Sequence, residues 1–245
     1  VAWMKSVNIQ PAIFYKSLGT LGGGNHFMEY EEGEDRWAFT VHTGSRSLGT
    51  KVFNKWDRVA RCNGGYLAGE ALKGYLTDMV ITQAYAKYNR KLILDKAAAI
   101  IHKINGAKVD GIIGTTHNYL DFQDLVIRKG AIRSYAGELV VIPFNMRDGI
   151  AIAEGLSNED WNYSAPHGSG RVMSRTAARR NLTMTGFKKE MQGVYSTCIT
   201  PDTLDESPSA YKPTESILEA VSPTCRVLYI LKSKINLKAT NNGNL

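Results

Sequence analysis

Four of the five histidines stand in short polar loops that also carry glycine. His26 lies in Gly22-Gly23-Gly24-Asn25-His26-Phe27-Met28-Glu29, and His42 in Val41-His42-Thr43-Gly44-Ser45-Arg46. His117 lies in Gly114-Thr115-Thr116-His117-Asn118-Tyr119, and His167 in Ser164-Ala165-Pro166-His167-Gly168-Ser169-Gly170-Arg171. Neutral imidazole is the commonest side-chain metal ligand, and divalent ions accept mixed imidazole and oxygen shells. Glycine near each histidine lets the backbone approach an anion or a metal-bound phosphate without a Cβ clash. Two loops place an arginine four residues past the histidine, His42/Arg46 and His167/Arg171. A planar guanidinium there can hold phosphate oxygens bidentately. Any one of these loops alone is more often an ordinary loop; as a set they point to metal-assisted phosphoryl chemistry. His102, in a helical stretch, reads as a surface or partly buried helix residue. The triple glycine is neither a Walker loop, since no Gly-Lys-Ser/Thr follows, nor a GxGxxG turn. Its interest comes from the amide, imidazole and carboxylate of Asn25, His26 and Glu29 that follow it.

The elements that must position these loops show in the hydrophobic pattern. Residues 37–42 predict a strand, and residues 50–63 a short helix closed by Asn63-Gly64-Gly65. From about 68 to 104, apolar residues recur at helical spacing (Leu72, Leu76, Val80, Ala84, Tyr88, Leu92), predicting one long helix or two broken near Asn89. Residues 125–143 predict a hairpin, 125–127 against 139–142, with turns at Lys129-Gly130 and Ala136-Gly137. Further strands are expected at 150–152, 227–231 and 235–237, and helices at 171–182 and 215–221. Residues 241–245 read as a frayed polar tail. No repeat, low-complexity linker or clear domain boundary stands out, so one mixed α+β domain is the simplest expectation.

With 245 residues, 43% hydrophobic and 22% charged, the composition is that of an ordinary globular protein. No apolar run reaches the roughly 20 residues of a membrane helix, and the N-terminus lacks a secretory layout. Cys62, Cys198 and Cys225 are widely spaced and odd in number, giving neither a disulfide framework nor a CxxC zinc pattern. A reducing cytoplasm is the expected setting. The net charge of +7 is consistent with a polyanionic partner. Between residues 171 and 200 stand Arg171, Arg175, Arg179, Arg180, Lys188 and Lys189 with the single acid Glu190.

Five strings, in order and from near residue 17 to near 239, resemble the RtcB-type 3′-phosphate RNA ligases. They are Gly19-Thr20-Leu21-Gly22-Gly23-Gly24-Asn25-His26-Phe27-Met28-Glu29, then His42-Thr43-Gly44-Ser45-Arg46, then His117-Asn118-Tyr119. Pro166-His167-Gly168-Ser169-Gly170-Arg171-Val172-Met173-Ser174-Arg175 follows, and finally Ala210-Tyr211-Lys212 with Lys238. The resemblance implies an α+β RtcB-like fold over 1–245, its sheets and flanking helices surrounding a central metal and GTP cleft. It implies a cytoplasmic ligase acting in tRNA splicing or RNA repair. Such an enzyme joins RNA ends bearing a 3′-phosphate or 2′,3′-cyclic phosphate to 5′-hydroxyl ends, using GTP and Mn²⁺, with an activator protein as a further partner. His167 would be the nucleophile that takes GMP, and His26, His42 and His117 the metal ligands. Asn25, Glu29, His167, Gly168, Ser169, Gly170, Tyr211 and Lys238 would bind GTP, with Glu29 and Lys238 on the guanine edge and Tyr211 packing on the base. Arg46, Arg171 and Arg175 would contact phosphates or RNA.

Two departures accompany the match. The family carries an upstream Asp-x-x-Cys string whose carboxylate and thiolate complete a two-metal site; no such string occurs here, and Cys62 follows Asp57 by five residues. Residues 142–149, Ile-Pro-Phe-Asn-Met-Arg-Asp-Gly, replace a Pro-Gly-Ser-Met-Gly string, which leaves a guanine contact near Asn145 open. With Val1 as its first residue, the chain is expected to be incomplete at its N-terminus and weak or inactive as a ligase when isolated. The alternatives are a non-catalytic RNA- or nucleotide-binding homologue without the second metal site, and a metal-dependent phosphatase or nuclease. The last leaves Tyr211 and Lys238 unexplained.

Overall fold

The computed structural model describes residues 2–238, so the tail expected at 241–245 lies outside the described residues. The mixed α+β architecture is as expected. Within it the chain gathers into two compact units, residues 2–22 with 41–107, and residues 23–40 with 108–238.

The first unit is helical: α1 (Ala2–Ser6), α2 (Pro11–Lys16), α3 (Ser47–Cys62) and α4 (Gly69–Asn105). Its core is Met4, Val7, Ile9, Leu48, Val52, Trp56 and Tyr85. Leu48, Val52 and Trp56 stack along one face of α3 because residues four apart nearly superpose on a helix. The helix α4 runs unbroken through Asn89. Its buried positions are Asp78, Thr82, Tyr85, Ala86, Asn89 and Ile93, while Leu72, Val80 and Tyr88 of the apolar series are exposed. The reason is geometric: residues spaced strictly by four rotate about 40° per step around the axis, so such a series leaves any one face. The polar residues on the buried face are matched by partners. Asp78 accepts the indole N–H groups of Trp3 and Trp56, each at 2.7 Å, and the Lys55 ammonium at 2.8 Å.

Asn89 has the larger consequence. Its Oδ1 accepts from the amides of Gly19 (2.7 Å) and Thr20 (3.2 Å), and its Nδ2 donates to the carbonyls of Thr20 (3.1 Å) and Gly44 (3.2 Å). Arg90 donates to the Thr43 carbonyl at 3.0 Å, and the Thr43 hydroxyl to the Leu21 carbonyl at 2.6 Å. One turn of α4 thus fixes the segment before the glycine run and the segment after His42.

The second unit is built on a five-stranded sheet. Its strands, in chain order with the shorter ladders, are β1 (Phe27–Glu32), β2 (Trp37–His42), β3 (Asn118–Leu120), β4 (Ile127–Lys129), β5 (Ala131–Arg133), β6 (Leu139–Pro143), β7 (Ile150–Gly155), β8 (Ser164–Pro166) and β9 (Cys225–Lys238). The large sheet runs β2-β1-β9-β7-β6, with β9 antiparallel to both β1 and β7. The two stretches expected at 227–231 and 235–237 are one strand, kept in register by irregularities opposite Tyr30/Glu31 and Ile152/Ala153. Helices α5 (Arg175–Asn181), α6 (Met184–Glu190) and α7 (Thr214–Val221) complete the unit. The helix expected from 171 begins only at Arg175, because Ser174 caps it by accepting from the Ala177 amide. Val140, Ile142, Ala151, Ala153, Ile217 and Val221 form the main core, with Met146, Phe187 and Met191 a second cluster.

The hairpin expected over 125–143 does not form. Instead β4 pairs with β3, β5 with β8, and β6 with β7. Arg128 explains the divergence. Buried at 2% exposure, it donates to Asp121 (3.2 Å) and Asp124 (2.9 Å) of the upstream loop and to the Ser164 hydroxyl (2.9 Å) of β8, which ties β4 to both. Periodicity cannot register such a charge-driven pairing.

Replacing Asn89 by alanine strands four backbone groups and is expected to cost about 2–3 kcal/mol. A lower urea midpoint at unchanged m-value would report it, and an unchanged midpoint would show that the loops hold themselves.

Candidate active site

Gly130 joins β4 to β5, and through it two histidine loops meet. Its amide donates to the His117 carbonyl at 2.7 Å and to Asn118 Oδ1 at 3.0 Å. Its carbonyl accepts from His167 Nδ1 at 2.6 Å. The two imidazoles lie with ring centroids 4.5 Å apart and planes at 30°. Gly130 adopts φ of +69°, where a side chain is strained. A carbonyl oxygen can only accept, so Nδ1 of His167 carries a proton, and in the neutral tautomer this implies the lone pair is on Nε2. Half-buried on the loop after β8, His167 is therefore held as the tautomer that an Nε2 nucleophile requires.

The chain beyond His167 is fastened at short intervals. A Cβ at Gly168 would stand 3.0 Å from the Pro143 carbonyl, the acceptor for the Ser169 amide at 3.1 Å, so glycine permits this close approach. The Gly170 carbonyl accepts from the Lys212 amide at 3.1 Å, and the Val172 amide donates to Ala210 at 3.0 Å. Arg171 and Tyr211 become bridge partners, the guanidinium lying 5.0 Å from the phenol ring.

Glu206, which the sequence reading did not single out, accepts from Lys238 Nζ at 2.5 Å, the Tyr211 hydroxyl at 2.7 Å and Arg175 at 2.6 Å. Burial would raise its pKa, but Lys238, Tyr211 and Arg175 outweigh burial and hold the carboxyl below its usual range. Burial and then the Glu206 charge push the Tyr211 phenol well up, so it stays protonated as a donor.

Strand pairing brings Glu29 beside this group. Opposite Asn236 on β9, it lies two residues from the Phe27–Lys238 pair, and Lys238 Nζ sits 5.2 Å from the Phe27 ring centroid. Desolvation raises the Glu29 pKa to about 8, against the opposing effects of Ser233, Lys238 and Asn236. Burial and then the Glu29 charge raise Glu31 likewise. Glu29 Oε1, Asn236 Oδ1 and Ser169 Oγ are buried with no hydrogen-bond partner among the described residues. Such orphaned atoms suit a ligand with complementary polar edges.

The second unit therefore holds His26, His117, His167, Glu29, Ser169, Arg171, Arg175, Tyr211 and Lys238, with Asn25 exposed just before β1. His42 and Arg46 belong to the first unit, where Arg46 donates to the Thr20 hydroxyl at 3.1 Å. No group of three or more His, Cys, Asp or Glu side chains among the described residues is arranged to hold a metal ion. No helix among the described residues is long and apolar enough to cross a membrane.

The Glu29 carboxyl gives a signed prediction. Its proton is retained to about pH 8 in the fold but leaves near 4.5 when unfolded. The native state then binds more protons between those values, and stability falls as pH rises through them. Glu29→Gln is expected to flatten the melting temperature between pH 5 and 8. An unchanged slope would place the titration elsewhere.

Comparison with known proteins bears on this arrangement. A family model described as tRNA-splicing ligase RtcB matches residues 5–239. The RNA-splicing ligase RtcB of Escherichia coli K12 is 29% identical over 253 residues, which cover 91% of this chain and 62% of that protein. RNA-splicing ligase RtcB1 of a second Escherichia coli strain is 30% identical with the same coverage. The tRNA-splicing ligase RtcB of Archaeoglobus fulgidus is 29% identical over 266 residues, covering 83% and 55%. This chain thus spans 55–62% of the length of these relatives. It belongs to the tRNA-splicing ligase RtcB family.

Proposed function

We propose that this chain carries the GMP-accepting and RNA-handling part of a GTP-dependent RNA ligase. The observation that supports the reading most is the tautomer of His167, held through Nδ1 by Gly130 so that Nε2 is the free nitrogen. In the proposed reaction Nε2 attacks the α-phosphorus of GTP. An N–P bond forms, the bond to the bridging oxygen breaks, and pyrophosphate leaves. GMP then passes from the imidazole to an oxygen of an RNA 3′-phosphate. The 5′-hydroxyl of a second end attacks that activated phosphate, loses its proton and expels GMP.

Side chains already described supply positioning rather than unusual reactivity. Arg171 and Arg175, fastened beside the nucleophile loop, face the phosphates; their planar forks suit phosphate oxygens. Glu29 and Lys238 take the guanine edge, with Tyr211 against the base and Ser169 hydrogen-bonding within the pocket. Arg46 contacts phosphate or RNA. Manganese, with His26, His42 and His117 as ligands, belongs to the proposal as charge neutralisation at phosphate. A nucleotide- and RNA-binding homologue without ligation is the second reading.

Incubation of the chain with α-labelled GTP and Mn²⁺, followed by denaturing electrophoresis, decides between the two. A weak, acid-labile label is expected, falling at least about a hundredfold in His167→Ala. A label unchanged in that variant would overturn the nucleophile assignment, and GTP binding without any label would favour the second reading.

A further inference from the structure

Asp205 and Glu206, adjacent in the chain, end a short 3-10 turn (Pro201–Glu206), and both are buried. Buried carboxylates are tolerated only with partners, and here the partners come from three separate segments. Glu206 divides its two oxygens between them. Its Oε2 accepts from Lys238 and Tyr211, while Oε1 accepts from Arg175 and, at 3.5 Å, from Arg171. Asp205 takes Arg175 at 2.5 Å and Arg179 at 2.6 Å, and its backbone carbonyl takes the other terminal nitrogen of Arg171.

Two carboxylates thus face four cations, leaving an excess of positive charge. Arg175 and Arg179 keep nearly half of their side chains exposed, whereas Lys238 is buried against Glu206. The arrangement is a buried acidic floor under cations that still reach outward. Long cationic side chains ordinarily lose freedom when they close on an anion, and holding them in place beforehand removes that cost.

We propose that Glu206 is a positioning residue that sets Lys238, Tyr211, Arg171 and Arg175 in a preformed cradle for an anionic nucleotide. The inference rests on the proposed reading of this site as one that binds GTP. Both Glu206 oxygens are engaged by these side chains, so the carboxylate acts through them. Glutamine has nearly the same shape but cannot replace it. Its NH₂ would face either Lys238 and Tyr211 or the two arginines, all of them donors.

The test uses the whole chain, with GTP binding by equilibrium dialysis, self-labelling by α-labelled GTP, and thermal melts. Glu206→Gln is expected to weaken GTP binding about tenfold and raise the half-saturating GTP for labelling, with the rate at saturation little changed. Glu206→Asp, which keeps the charge and shortens the reach, is expected to recover part of the affinity, and replaces Glu206→Gln should that variant not fold. Wild-type affinity in a folded Glu206→Gln with only a lower melting temperature would overturn the proposal. GTP binding without labelling in the parent chain, weakened by Glu206→Gln, would support it while removing the ligase reading. A parent chain that binds no GTP would remove both.

Discussion

Lys238 can be buried because Glu206 is buried with it. An ammonium taken out of water alone costs several kcal/mol or gives up its proton. Here the carboxylate meets it at 2.5 Å, and the Tyr211 hydroxyl shares the same oxygen. The last residue of β9 is thereby tied to the turn ending at Glu206 and to the Tyr211 segment. That segment is in turn laddered to the loop after His167. A charge pair that contributes little net stability by itself still sets which segments lie together, since breaking it leaves a buried charge.

The same strand carries the constraint to the other half of the sheet. Pairing on both edges, β9 brings Asn236 opposite Glu29 and Lys238 opposite Phe27. On the buried side of this pairing stand Glu29, Glu31, Ser233, Asn236 and Lys238, where an ordinary sheet would place aliphatic residues. The apolar core is displaced to β6, β7 and α7, and the β1–β9 end gives up hydrophobic packing for a polar interior.

Much of this was legible beforehand, and the failures have physical causes. The strands at 37–42 and 150–152, the helix near 50–63 and the family itself follow from local pattern and motif strings. The 125–143 hairpin failed because Arg128, with Asp121 and Asp124, overrides an apolar alternation. Buried Asp78 and Asn89 turn α4 toward a face that hydrophobicity would not choose. In the site, the histidine and arginine strings drew attention because cations and imidazoles announce phosphate chemistry. Glu206 and Asp205 did not, although a basic stretch running from Arg171 to Lys189 without a single acid needs counter-charges from elsewhere in the chain. The partnering of Gly130 with both His117 and His167 is a backbone property, and a turn glycine carries no mark of what its carbonyl will accept.

Gly130 bonds to the two loops through different peptide planes, its amide belonging to the unit before the Cα and its carbonyl to the unit after. Each plane is rigid, so their relative orientation reduces to φ and ψ of one residue. The spacing of the paired imidazoles is therefore gauged at a single pivot. A change of a few degrees there alters the tilt and separation of the His117 and His167 rings and the angle at which the His167 proton meets its acceptor, both at once.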